Sequence, residues 1–495
     1  MPVINFIEWT PDDADLGSSG AVVVKNALPG RAGYKPFNSL SVITDALATR
    51  PLGAIEAYDI NNASYQYVGI AAAIYELNET DLTWTDVTNS GGAYATASGE
   101  AWEFVRWENK VLGVNFTDDP QQITMGGANF TDLSTAFRAR HIAVVRDFVV
   151  VANTYDASDG NRPNRVRWSG IGDETSWTVS ASTLADYRDL PSGGPIQKIL
   201  GGEIGIIVSQ RGVSRMSFIG APVVFQIDEI LPEVGAICPG CVTQLGDNIY
   251  FISEQGFVEL TGGGTGVNYI GAGKVDQFFF EDLDPEYLSR MSCIADPTGN
   301  RIIWAYPGAS NTSGRPNKLI IYDRTFLKWT LIEEDVELLL RAKGIGFTLD
   351  ELDAIGYPNL DLMNVSLDSP LFKQSASQLA AFDDEYKLGF FRGLYKTATI
   401  ETRESEIFAG ANAQVNAFRP LVDLGTVTAE VGRRDRLTDP VTWGASLSQS
   451  SSGKFNTRSN ARYHRFRLTI SGNDWVDALG VQIDPADVRQ GSGRA

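Results

Sequence analysis

"FLKWTLIEE", residues 326–334, is a half-buried β-strand by its alternation of apolar and polar residues around Trp329 and Thr330. The same aromatic-Thr pair stands at Trp84-Thr85 in "DLTWTDVT", at Phe130-Thr131 in "GANFTDLS" and at Trp177-Thr178 in "ETSWTVSA". The first three are 46 and 47 residues apart, and the 152 residues from Trp177 to Trp329 are close to three more such intervals. A repeat of this length is what a four-stranded propeller blade produces.

The rest of the unit repeats as well. A polar turn leads into an apolar run in "ENKVLGV" (108–114), "RDFVVVA" (146–152), "GGEIGIIVS" (201–209), "LGDNIYFIS" (245–253) and "TGNRIIWAY" (298–306). Each opens with Gly, Asn or Asp chemistry and continues in β-favouring residues. A further strand follows in "AAAIYEL", "NRVRWSG", "GVSRMSFIG", "GFVELTG" and "NKLIIYD". The aromatic is expected to fill the gap between neighbouring twisted sheets, and the β-branched threonine beside it suits an outer strand. The tryptophan stripe is therefore assigned to packing and not to ligand binding.

These units predict an all-β fold, a β-propeller of about six blades at 51–90, 100–135, 138–182, 195–230, 236–270 and 290–333. A terminal strand should close the ring and remove its edges, and "LAAFDDEYKLGFFRGLYKTATIETRE" (379–404) is the closing candidate. The propeller is thus expected over 51–333 and 376–404. Residues 1–50, with Pro2, Pro11, Pro29 and Pro36, are expected to form an extended segment wrapping something. Residues 334–375 read as an inserted arm, with a short helix started by the capping box Thr348-x-x-Glu351. Residues 405–495 alternate at period two around a Ser-rich turn (448–453), which predicts a small separate β-sandwich or barrel domain.

Forty-nine glycines against five methionines agree with a turn-rich β protein. No apolar run approaches the ~20 residues of a membrane helix, and "HIAVVRDFVVVA" is cut by Arg146 and Asp147. Glu8, Asp12, Asp13 and Asp15 near the N-terminus are unlike a secretory signal, so folding in a cytosol is expected. The net charge of −20 is uneven. Residues 401–495 hold twelve Lys/Arg and eleven Asp/Glu, leaving 29 basic and 50 acidic residues before them. A protein that grips nucleic acid through phosphates should be basic, and most of this chain repels it.

Chemistry-bearing patterns are weak. Cys238 and Cys241 form C-P-G-C, but no βαβ setting accompanies them and Cys293, His141 and His464 lie far off in sequence, so all three cysteines are assigned structural roles. The acidic runs Glu281–Asp284, Glu333–Asp335 and Asp383–Glu385 lie in turn-like segments, where solvated surface is expected. "GGGTG" (262–266) and "GAGK" (271–274) fail the phosphate-loop pattern, because Asn268 holds the first glycine position and Val275 follows the lysine. The chain is not expected to be an enzyme, and no catalytic residue, cofactor or metal site is assigned. One basic patch stands out in the C-terminal region: Arg433, Arg434, Arg436, Arg462, Arg465 and Arg467. Arg465 and Arg467 share a strand face, and the patch is expected either as edge-strand charges that prevent aggregation or as a subunit interface for an acidic protein surface, such as the acidic region of a neighbouring copy.

The order of the motifs "IEWTPDDADL", "VRWSGIGDETSWT", "TLADYRDLPSGG", "RGVSRMSFIGAPVVFQID", "LGDNIYFISEQGF", "TLDELD", "LAAFDDEYKLGFFRG" and "RFRLTISGNDWVDALGVQID" resembles the nozzle-type, packaged-DNA-stabilising (tail tubular) proteins of short-tailed bacteriophages. The likeness spans most of the chain, with no single diagnostic motif. It implies a virion protein made in the host bacterial cytoplasm, repeated around the tail axis in a ring, most often a homo-hexamer. That ring would form the distal nozzle of the conduit, which retains packaged DNA and lets it pass on infection. Implied partners are further copies, the adaptor and portal connector, and tail fibre or needle proteins, with double-stranded DNA passing an acidic lumen unbound. Such a lumen would lack the Lys/Arg contacts that add affinity for phosphate, and either a loop such as 346–372 or a blade-connecting loop would gate it. The alternatives are a carbohydrate-binding propeller, whether receptor- or surface-binding, and a protein-interaction propeller scaffold.

Overall fold

A computed structural model describes residues 3–16, 20–344 and 377–490, and the chain is an all-β propeller with added sheets. The six blades expected from the sequence are present. Five are separate four-stranded antiparallel sheets spanning Gly53–Asp86, Glu103–Asp132, Arg138–Asp189, Ile196–Pro232 and Thr243–Tyr269. The sixth, Ser292–Glu333, has the same meander and continues into a larger sheet. The turn-and-run motifs form second strands, such as Lys110–Val114, Phe148–Asp156 and Asn248–Ser253, each buried on both faces.

The closing segment does more than add one strand. Ser377–Phe382 and Leu388–Tyr395 pair with each other, Leu338–Lys343 pairs on one side and Asn38–Val42 on the other. This makes a further four-stranded sheet between the sixth blade and the first. Residues 338–343, expected in the inserted arm, are its leading strand, because "LLLRAK" puts apolar residues where both neighbouring sheets can cover them. The rest of that arm, including Thr348, Glu351 and the 346–372 loop, lies outside the described residues.

Apolar clusters between successive sheets hold the ring together. Tyr67, Trp102, Val111 and Phe130 fill the space between blades one and two. Val68, Leu77, Leu340, Phe382 and Phe390 join the closing sheet to blade one, which completes the circle. The repeated aromatics stand in these gaps. Phe130 meets Tyr67 of the preceding blade edge-on at 5.7 Å, and Trp329 lies 4.7 Å from Phe257 of the blade before it. Half-buried Trp84 faces Phe382 of the closing sheet at 5.9 Å. Trp177 departs from the expectation in one respect: it is buried against Phe137, but it precedes the outer strand, which is Asp186–Asp189. That later strand is fixed by Arg165, which holds Asp189 with Nε 2.6 Å from Oδ1.

The N-terminal segment wraps the molecule itself. Val3–Asn5, Ala27–Pro29 and Tyr34–Pro36 join a sheet with Ala413–Val422, Phe455–Ala461 and Ala478–Gln482. Ala21–Lys25 lies between the outer strand of blade six and Ala398–Thr402. That second sheet runs on through Tyr463–Ser471 and Thr426–Arg434. The two sheets share a core in which Phe418 lies 4.9 Å from Phe466, so the C-terminal region is a β-sandwich. It is not separate as expected, because Ala21–Lys25 makes blade six and the sandwich one continuous sheet. Ala398–Thr402, expected in the propeller, belongs to the sandwich.

Candidate functional site

A cavity of about 290 Å³ lies on the propeller axis, lined by residues at the leading strand of every sheet in the ring. Its polar residues come from every sheet of the ring except blade five, which contributes Pro239, Gly240 and Val242. Glu103 opens the leading strand of blade two, His141 and Arg140 lie on that of blade three, and Lys198 on that of blade four. Arg50, Arg290 and Glu337 stand just before the leading strands of blade one, blade six and the closing sheet.

Most of these charges are paired. Glu103 takes His141 Nδ1 at 2.9 Å and Lys198 Nζ at 3.2 Å through different oxygens. Burial by itself raises the Glu103 carboxyl, but Lys198 and His141 together hold it below the ordinary carboxylate range. Arg140 grips Glu100, with 2.7 Å from Nη2 to Oε1, and stacks 3.6 Å from the centre of the Phe116 ring. Its Nη1 also donates to Asn153 Oδ1 at 2.7 Å. A bulge in Phe148–Asp156 puts Asn153 in the left-handed region, φ 55°, so its amide reaches both Arg140 and the Ile196 carbonyl. Glu337, 2% exposed, meets Arg50, Arg290 and Arg315. Held below the ordinary range, the Glu103 carboxylate is a poor general acid, a role that needs a raised pKa.

The six arginines expected as a patch do not form a free one. Arg465 donates to Glu401 at 3.0 Å and lies 2.8 Å from Asp15, while Arg467 takes the other oxygen of Glu401 and Glu430 Oε2 at 2.8 Å. The shared face is thus as expected, but its occupant is the neighbouring strand and the N-terminal segment of the same chain. Arg434 binds Glu404 at 2.6 Å and Arg462 binds Glu406 at 2.8 Å. Arg433 and Arg436 are exposed. The physical reason is strand pairing: Glu401 lies opposite Arg467, and Arg467 opposite Glu430, in one sheet. Sequence separation hid these pairs.

The other candidates scatter. C-P-G-C forms a 3₁₀ turn between blades four and five, with both thiols buried and Cys241 Sγ donating to the Cys238 carbonyl at 3.0 Å. His464 is wholly buried in the sandwich, and burial pushes its pKa down to about 4. Glu333, Glu334, Asp335, Asp383 and Asp384 line an open groove between blade six and the closing sheet, where Lys318 and Lys396 face them. "GGGTG" is the turn between Gly256–Thr261 and Gly266–Tyr269. Reading charges onto leading strands, one position per repeat, would have found the axial residues; tracking only the aromatic position missed them.

No protein family model matches the chain, and no curated protein sequence does. It is similar to several solved structures at low identity. One is a computationally designed protein, Ika8, at 10% identity, covering 72% of this chain and 99% of that one, with a TM-score of 0.36. Another is the Neurospora crassa Pan2 WD40 domain, at 8% identity, 72% and 97% coverage and a TM-score of 0.41. A third is BamB from Moraxella catarrhalis, at 10% identity, 73% and 92% coverage and a TM-score of 0.36. At these identities none of them says what the chain does.

Proposed function

We propose that this protein is a non-catalytic propeller that acts by contacting other proteins. The observation that carries it is the state of the axial cavity. Its carboxylates Glu100, Glu103 and Glu337 are each engaged by cations of neighbouring blades, which favours a brace over a reaction centre. The polar groups of the ring then serve rigidity, and the outer surface is left for partners.

Within that class, the specific reading is a structural subunit of a short-tailed bacteriophage virion, at the nozzle of the tail conduit. Its support is the ordered series of motifs from "IEWTPDDADL" to "RFRLTISGNDWVDALGVQID", together with the excess of acid before residue 401. In that reading DNA passes between subunits. The axial cavity of about 290 Å³ is far too small for a duplex whose major groove alone is about 12 Å wide. A lumen formed by acidic outer faces would let a polyanion slide, with residual repulsion screened over about 10 Å at 0.1 M salt.

The test is the particle mass of the full-length chain, alone and mixed with a phage adaptor, with electron microscopy of the same samples. Closed rings with an open axial hole are expected in at least one of the two. A chain that stays monomeric under both conditions and binds glycans in a screen would overturn the nozzle reading in favour of a carbohydrate-binding propeller.

A further inference from the structure

Three guanidinium groups converge on one buried carboxylate at the mouth of the axial cavity. Arg315 Nε donates to Glu337 Oε1 at 2.9 Å, Arg290 Nη2 donates to Oε2, and Arg50 Nε lies 3.3 Å from the same Oε2. Arg315 has a second acid, Asp384, at 3.4 Å, and Arg290 Nη1 donates to the Ser313 carbonyl at 2.6 Å. Arg50 has no such second partner among the described residues, and its contact to Glu337 lacks hydrogen-bond alignment. The Nε atoms of both Arg50 and Arg290 are buried without an acceptor. Burial and the nearby charge of Arg290 each disfavour the charge on Arg50, Glu337 opposing them.

Like charges held side by side repel, and the one carboxylate of Glu337 faces three guanidinium groups, of which Arg315 alone has a second acid among the described residues. Here two like charges, Arg50 and Arg290, with side chains 30% and 16% exposed, line one cavity and share the single carboxylate of Glu337. The same cavity is lined by the hydroxyl residues Ser289 and Ser292, the latter accepting from the Leu339 N–H at 3.1 Å. Elsewhere in it the charges balance, with Arg140 on Glu100 and Lys198 on Glu103, so the unmatched positive charge is local to this mouth.

We propose that the cavity mouth between Arg50 and Arg290 binds a small free oxyanion of the phosphate or carboxylate type. The ligand would accept from both arginines and complete the ring of ion pairs around the axis. This is independent of the virion reading.

The test uses the full-length chain in a chloride buffer of fixed ionic strength, titrated calorimetrically with inorganic phosphate and, separately, with acetate. Saturable one-site binding of either anion above the chloride background is expected, and the tighter of the two tells which headgroup fits. Arg50→Gln should weaken it about tenfold or more, while Lys35→Gln, an equal charge change at an exposed position of the sandwich, should leave it within twofold. Arg50→Lys keeps the charge but loses the planar guanidinium fork, and it serves where Arg50→Gln does not fold; a weakening of at least threefold is expected. Binding no better than chloride, or equal in the wild type and the Arg50 variants, would overturn the proposal. So would an equal loss in Lys35→Gln, which would mark binding to the general field of the protein.

Discussion

Asp276 shows how one residue ties distant parts of the chain together. It opens the helix Asp276–Asp282 and accepts from the Phe257 N–H at 3.1 Å. It also packs so closely on Gly271 that a Cβ there would fall 1.9 Å from Oδ1. The helix has no cap from its own Val275; Asp12 of the N-terminal segment supplies one, accepting from the N–H groups of Gln277 and Phe278 at 2.8 Å each. Burial first, and then the charge of Asp12, push the Asp276 carboxyl up to about 6. The folded state therefore holds a proton that the unfolded chain releases near pH 4. The stability contributed by this protonation is fully present below about pH 4 and is lost as pH rises through about 6. Asp276→Asn should thus raise stability at pH 7.5 by about 1–2 kcal/mol, after allowance for a carboxyl that is partly exposed, and should match the parent at pH 4. Thermal melts of both proteins at the two pH values check this; a gap of equal size at both would show that charge is not its origin. None of it was legible in the sequence, because residues 12 and 276 meet only in the fold.

At the scale of the element, the aromatic-Thr strand was legible and its energetic weight was not. Trp329 is fully buried among Phe257, Trp304 and Tyr322, and its indole N–H donates to the Ile270 carbonyl at 3.2 Å. Trp84 holds the same position in the first blade but is half-buried at the closing seam. Trp329→Ala should cost about 3–5 kcal/mol, as large-to-small changes in tight cores do, and Trp84→Ala roughly 1–2 kcal/mol. Urea midpoints at unchanged slope measure both; equal costs would mean that the seam is as tightly packed as the blade-five and blade-six core. Strand identity followed from alternation and turn chemistry, which are local. The outer strand of blade three was misplaced at Trp177, because an aromatic can fill an inter-blade gap from a loop as well as from a strand.

The whole molecule is closed by its N-terminal segment. Asn38–Val42 is the outer strand of the closing sheet, and Ala21–Lys25 bridges blade six and the sandwich. Glu8 pairs with Lys274 at 2.7 Å, and Arg403 donates to the backbone carbonyls of Thr10, Asp13 and Ala14. A chain lacking residues 1–43 loses the outer strand of the closing sheet, the bridging strand, three strands of the sandwich and a helix cap at once, and leaves the strands that paired with them open to other chains. It should elute as soluble aggregate in size-exclusion chromatography and lose its cooperative melt, whereas a monodisperse product melting with the parent would show that the segment is dispensable. By itself, the sequence determined the repeat, the six blades, the segment that closes the ring and the alternating strands of the C-terminal region, because strand period, turn residues and packing aromatics act over a few neighbours. Only the tertiary structure decided the rest. It decided that the closing segment completes a full sheet with residues 38–42 and 338–343, that the sandwich is continuous with blade six, and that Arg465 and Arg467 face acids of their own chain. Strand partners, and the carboxylate that meets a given arginine, are set by which distant segments the ring brings side by side, and that is a property of the closed fold.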